Sequence, residues 1–175
     1  MKGGIPLGSM AFHLHTVVLN VACAALFGQA VKAQDGALPG TNQRIVDFVR
    51  AHEGQKVGRG ECWDLAAGAL NAAGAKWDGV YGFGTIIDWK RDEVWPGDIV
   101  QFENVQLQHR TATSMRTEQY GQHTAVVVEV KARGEYVLAH QNVEPVGKKV
   151  ALSPLSMSDV RSGKLKFYRP VAGGQ

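Results

Sequence analysis

Apolar residues recur at helical spacing in the first half of this 175-residue chain and at strand spacing in the second, and that order leaves few architectures open. Ile45, Phe48 and Val49 share one stripe while Arg44, Asp47, Arg50 and Glu53 take the other face, which predicts a helix over residues 42–52 capped by Thr41. After the breaks at Gly54, Gly58 and Gly60, a second stripe of Leu65, Ala66, Ala69, Leu70 and Ala73 predicts a helix over 62–73, stopped by Gly74, with Cys62 in its first turn. From the turn Trp95-Pro96-Gly97-Asp98 onwards the chain reads as strands: 99–102, 123–130 (HTAVVVEV), 136–140 (YVLAH) and 165–168 (LKFY). Residues 76–94 and 103–120 read as irregular surface segments that set specificity. Helices first and strands afterwards predict an α+β domain with an antiparallel sheet, and no internal repeat or linker divides it.

The first 33 residues hold Lys2 and Lys32, no acid, and an apolar run over 16–27 too short to span a bilayer, followed by Val31-Lys32-Ala33. The expectation is a secretory signal peptide over 1–33 and a folded domain over 34–175. The product would be secreted or periplasmic, with no stable membrane insertion after cleavage. Cys23 would leave with that leader, so Cys62 would be the one thiol of the exported protein, with no partner for an internal disulfide. With 19 Lys and Arg against 16 Asp and Glu, a net charge of +3 gives no field that suggests nucleic acid, and the expected partner is a neutral or mixed-charge substrate bound by a monomer.

A thiol attacks as thiolate, and the N-terminus of a helix stabilises that anion through free N–H groups and the positive end of the dipole. A base at a strand end completes such a site. His123 opens one strand and His140 closes the next, so antiparallel pairing makes them neighbours, one orienting the other. The expectation is a lowered Cys62 pKa, a raised His123 pKa and a bell-shaped pH profile. His52 and His109 lack such company and read as structural. One thiol without HxxxH or CxxC spacing argues for no metal and no cofactor. Trp63, Tyr81 and Trp95 are weaker candidates for substrate contact.

Gly60-Glu61-Cys62-Trp63 opening a helix, Pro96-Gly97-Asp98-Ile99-Val100-Gln101-Phe102 and Gly121-Gln122-His123-Thr124-Ala125-Val126-Val127, with a polar end to the next strand, resemble the NlpC/P60 and CHAP cysteine peptidases and amidases. The likeness covers residues 44–142. It implies a reduced papain-like fold, with the Cys helix packed on a small antiparallel, barrel-like sheet. By position, Cys62 is similar to the nucleophile, His123 to the general base and His140 to the orienting residue. Asn142, similar to the trailing Asn of CHAP domains, is the alternative third residue. The activity implied is cleavage of peptide or amide bonds, above all in bacterial peptidoglycan, through a thioester. The rival reading is a non-catalytic papain-like module that binds cell-wall glycan or peptide through aromatics such as Trp77, Phe83 and Trp89.

Overall fold

The structure, a computed structural model, describes residues 38–174 together with Met1 and Gly3. The leader expected over 1–33, with Cys23, lies outside the described residues. Two helices come first, α1 (Gly40–Ala51) and α2 (Cys62–Ala72). Then follow the strands β1 (Ala75–Lys76), β2 (Thr85–Ile87), β3 (Ile99–Arg110), β4 (Met115–Ala132), β5 (Glu135–His140), β6 (Ala151–Ser156), β7 (Val160–Arg169) and β8 (Val171–Ala172). Six strands form one antiparallel sheet in the order β2-β7-β3-β4-β5-β6, and β1 pairs with β8. The α+β expectation holds.

Residues 123–128 of β4 are all buried, because both faces of the sheet are covered. Val126 and Val128 pack with Ile45, Leu65, Ala69 and Leu70 of the helices. Ala125 and Val127 join Phe102, Leu138, Leu155 and Phe167 on the opposite face. On that second face the rings of Tyr136 (β5) and Phe167 (β7) stand 5.4 Å apart. Three strand steps separate them, about 14 Å in a flat sheet, so the sheet curls strongly around this core. Its edges are blunted: β2 is three residues long and β6 carries Pro154.

Two expectations are corrected. The segment 103–120 is no irregular insert, since β3 and β4 continue through it as a ladder closed by Thr111 and Ser114. Val105 and Leu107, alternating with Gln106 and Gln108, carried that signal. Helix α1 starts at Gly40 with Pro39 before it, and Thr41 lies buried within its first turn. The Asn42 amide explains the shift, because it donates to Pro96 O (2.9 Å) and to Asp98 Oδ1 (3.0 Å).

The fully buried Asp98 is thereby the junction of three elements. Arg169 at the end of β7 donates to both carboxylate oxygens (Nε 3.0 Å, Nη2 2.9 Å), and the Trp95 backbone N–H donates to Oδ2 at 2.8 Å. Gly97 passes so close to Asn42 that a Cβ there would stand 2.5 Å from its carbonyl oxygen, at a φ of +87°. The Pro-Gly-Asp motif is architectural.

Candidate active site

Cys62 is the first residue of α2, and two acids organise the approach to it. Asp64 Oδ2 accepts from the backbone N–H of Arg59 (2.8 Å) and of Glu61 (3.2 Å), the return half of a capping box. Glu61 is held by Asn142 Nδ2 (2.9 Å) and Lys148 Nζ (2.7 Å). The decisive clamp is Gln141, fully buried just past β5. Its amide nitrogen donates to Val57 O (2.9 Å) and Glu61 O (2.8 Å), and its amide oxygen accepts from Val57 N–H (3.1 Å). The chain leading to the thiol is thus fixed to the residue after His140.

The two histidines meet as expected: His123 Nε2 and His140 Nδ1 lie 3.0 Å apart, both buried. His140 Nε2 lies 3.0 Å from Ser153 Oγ on β6. The His123 ring is boxed in by Tyr120 (4.9 Å between centroids) and Phe102 (5.5 Å). Tyr120 in turn donates its hydroxyl to Glu118 at 2.7 Å. The Cys62 sulfur faces the backbone N–H groups of Trp63 and of Thr124, the residue after His123. The Thr124 side chain is tied down by a bond of 2.7 Å to buried Gln101. Among the described residues no hydrogen bond joins the sulfur to His123.

The electrostatics reverse the expected charge state. Burial pushes the Cys62 thiol up, and the nearby N–H groups oppose this without overcoming it. Burial, reinforced by the neighbouring His140, pulls His123 down to about 3, and burial pulls His140 to about 4. Both shifts favour a neutral thiol beside neutral imidazoles at neutral pH over a preformed thiolate–imidazolium pair. The helix N-terminus was the right place for the thiol, but desolvation outweighs the dipole there.

Asn142 serves Glu61, so the residue on His123 is His140. Trp63 donates its indole N–H to Val80 O and lies tilted against Trp77, 5.6 Å between ring centroids. Tyr81 is exposed, edge-on to buried Phe83. Trp95 belongs to the Asp98 junction, with the Arg169 guanidinium 3.5 Å over its ring. The described residues contain no group of three or more His, Cys, Asp or Glu side chains fit to hold a metal. Sequence reading missed Gln141, Ser153 and Tyr120. Only Gln141 carried a signal, as a polar residue directly after an apolar strand end.

Gln141→Leu leaves the Val57 N–H without a partner and strips one donor each from Val57 O and Glu61 O, which still accept from Gly60 and Asp64, and is expected to cost about 1–3 kcal/mol in urea unfolding. Freed from its clamp, the loop should also expose the thiol, so that iodoacetamide alkylates Cys62 several-fold faster at pH 7.5. An unchanged alkylation rate would show that Gln141 does not hold the site.

A curated relative, "Altered inheritance of mitochondria protein 3" of the yeast Debaryomyces hansenii, is 31% identical over 139 residues, covering 69% of this chain but 15% of that protein. Two solved structures, of Ly7917 and of Ly7917 with the hydrolyzing product of MDP, are 18% and 17% identical and cover 73% and 74% of this chain and 62% of theirs, at TM-scores of 0.45 and 0.48. The yeast relative, whose name concerns an organelle of eukaryotic cells, overturns the expectation of a secreted or periplasmic enzyme acting on peptidoglycan, along with the cell-wall binding module. The papain-like expectation stands at the level of the fold: residues 40–174 match the AIM3/BBC1 cysteine proteinase-fold domain, and the chain belongs to that family.

Proposed function

We propose that the domain is a thiol-dependent hydrolase or acyl transferase of peptide or amide bonds, with Cys62 as nucleophile, His123 as base and His140 as its orienting residue. The observation that carries this reading is the buried His123–His140 pair, 3.0 Å apart across β4 and β5, with His123 directly before the Thr124 N–H that borders the thiol. A histidine in the third position follows the NlpC/P60 pattern more closely than the CHAP pattern.

The hydrogen-bond chain suits one tautomer. If His140 donates from Nε2 to Ser153, its Nδ1 accepts from His123 Nε2–H, and His123 Nδ1 keeps a free lone pair. As the Cys62 sulfur attacks the carbonyl carbon, its proton passes to that nitrogen. The oxyanion is met by N–H groups at the start of α2. His123 then gives the proton to the departing amine as the C–N bond breaks, leaving a thioester on Cys62. Water, deprotonated by His123, or another nucleophile resolves it and restores the thiol. Because the resting pair is neutral, proton transfer accompanies attack, and kcat/KM is expected to stay level between pH 5.5 and 8 rather than follow a bell.

The neutral pair also favours a second reading, a peptide-binding module that keeps the fold without turnover. Mass spectrometry of the full-length chain mixed with p-nitrophenyl acetate separates the two. An acetyl adduct on Cys62, absent from Cys62→Ser and from His123→Ala, supports catalysis. Acetylation that ignores His123, or none at Cys62, leaves the binding module.

A further inference from the structure

Polar side chains around the site are almost all engaged: Asn42, Gln101, Gln122, Thr124, Gln141 and Asn142 each make hydrogen bonds within the protein. One neighbouring group is not. Where β3 and β7 slip register past Glu103, a cavity of about 270 Å³ opens between Asn104, Gln106, Gln119, Tyr120, Gly121 and Ser162. Among the described residues the side chains of Asn104, Gln106, Gln119 and Ser162 have no hydrogen-bond partner in the protein; Gln106 is half-buried and the other three face solvent, so the opening is a surface groove whose polar groups are open to a ligand. The backbone builds the opening: Asn104 turns to a φ of +52°, and Gly163 fits beneath it only because it lacks a Cβ, which would stand 2.3 Å from Asn104 O.

The cavity adjoins the reacting groups. Tyr120 lines it and also lies against the His123 ring at 4.9 Å. Residues 119–121 precede His123 by two to four positions on β4, about 7–13 Å along an extended strand. An extended peptide has the same repeat, so a residue two to four positions from a bond held at Cys62 reaches this distance. Every lining side chain is uncharged; of the charges around it, Glu103 pairs with Lys166 at 2.6 Å and Glu118 accepts from the Tyr120 hydroxyl at 2.7 Å. The amides and the hydroxyl offer both donors and acceptors, the complement of an amide side chain rather than of an apolar or charged one.

We propose that this cavity is a specificity subsite for an uncharged hydrogen-bonding residue, of glutamine or asparagine type, two to four positions from the bond cut. The proposal deepens the hydrolase reading and rests on it for its link to turnover.

The test uses the full-length chain and internally quenched alanine octapeptides carrying one Gln, Leu, Glu or Lys at each position. Peptides with Gln two to four positions from the cut are expected to exceed the others about tenfold in kcat/KM, through KM, because its amide pairs with the amides and hydroxyl of the groove and the other side chains do not. Ser162→Trp, which fills the cavity, and Gln119→Leu, which removes an amide, should abolish that preference and leave acetyl transfer from p-nitrophenyl acetate unchanged. A missing preference, or one that survives both substitutions, overturns the subsite. Amide chemical shifts of Cys62→Ala titrated with the Gln peptide separate this from failure of the hydrolase reading. Shifts at Gln119, Gly121 and Ser162 uphold the cavity even where no peptide is cut, and unmoved signals there reject it.

Discussion

At pH 4.5 the domain is expected to be roughly 4–5 kcal/mol less stable than at pH 7, because two neutral imidazoles are buried against each other. In the unfolded chain each ring protonates at its ordinary value of 6.5, whereas in the fold His123 waits until about 3 and His140 until about 4. The unfolded state therefore binds more protons throughout the window from 6.5 down to those values. Stability is complete above 6.5 and is lost as the pH falls through it. Asp98, pushed up by burial, takes its proton earlier in the fold than outside and works in the opposite direction, while Asp64 and Asp78, pulled down by their hydrogen bonds, add losses only below 3.8. Urea unfolding at the two pH values measures the difference. His123→Asn combined with His140→Gln removes both titrating groups and should leave a protein whose stability hardly changes between pH 7 and 4.5. A parent protein with the same midpoint at both would mean that the pair is not buried as described.

The second large effect is expected at Asp98→Ala, with a loss of about 3–5 kcal/mol. Four donors converge on this carboxylate, from Asn42, Trp95 and twice from Arg169. Its removal leaves the guanidinium, only 22% exposed, without its counter-charge, held by the Glu93 carbonyl and the Trp95 ring. Burial pushes the Asp98 carboxyl up even with Arg169 beside it, so desolvation outweighs the ion-pair attraction and the pair contributes geometry more than net energy. Asp98→Leu combined with Arg169→Met should accordingly recover a good part of the loss. If Asp98→Ala unfolds within 1 kcal/mol of the parent in urea, the junction carries no such weight.

Periodicity revealed the elements whose burial is one-sided or complete: the stripe through Leu65 and Ala69 and the run HTAVVV needed no tertiary knowledge. Cys62, His123 and His140 were legible because helix starts and strand ends are local features, and the meeting of the two rings follows from antiparallel pairing across Gly134. The distal hairpin was hidden by its polar outer face, although Val105 and Leu107 marked its inner one. Strand β6 and the first half of β7 were hard to see because Ser153, Pro154 and Gly163 break every simple pattern, and with β6 went the serine that accompanies His140. The charge state was misread for a different reason. Placement at a helix N-terminus is local, but desolvation depends on everything that covers the site.

The Asp98 junction also dictates when the chain can finish folding. Its donors come from Asn42 and from Arg169, 56 and 71 residues away, and β7 must enter the sheet between β2 and β3 before the last of them arrives. Contacts at such separations form late and slowly, because loop closure precedes any gain from them. During synthesis, therefore, the helices and the β3–β4 ribbon emerge with the carboxylate of Asp98 still unmatched, and the nascent domain stays open until Arg169 has left the ribosome.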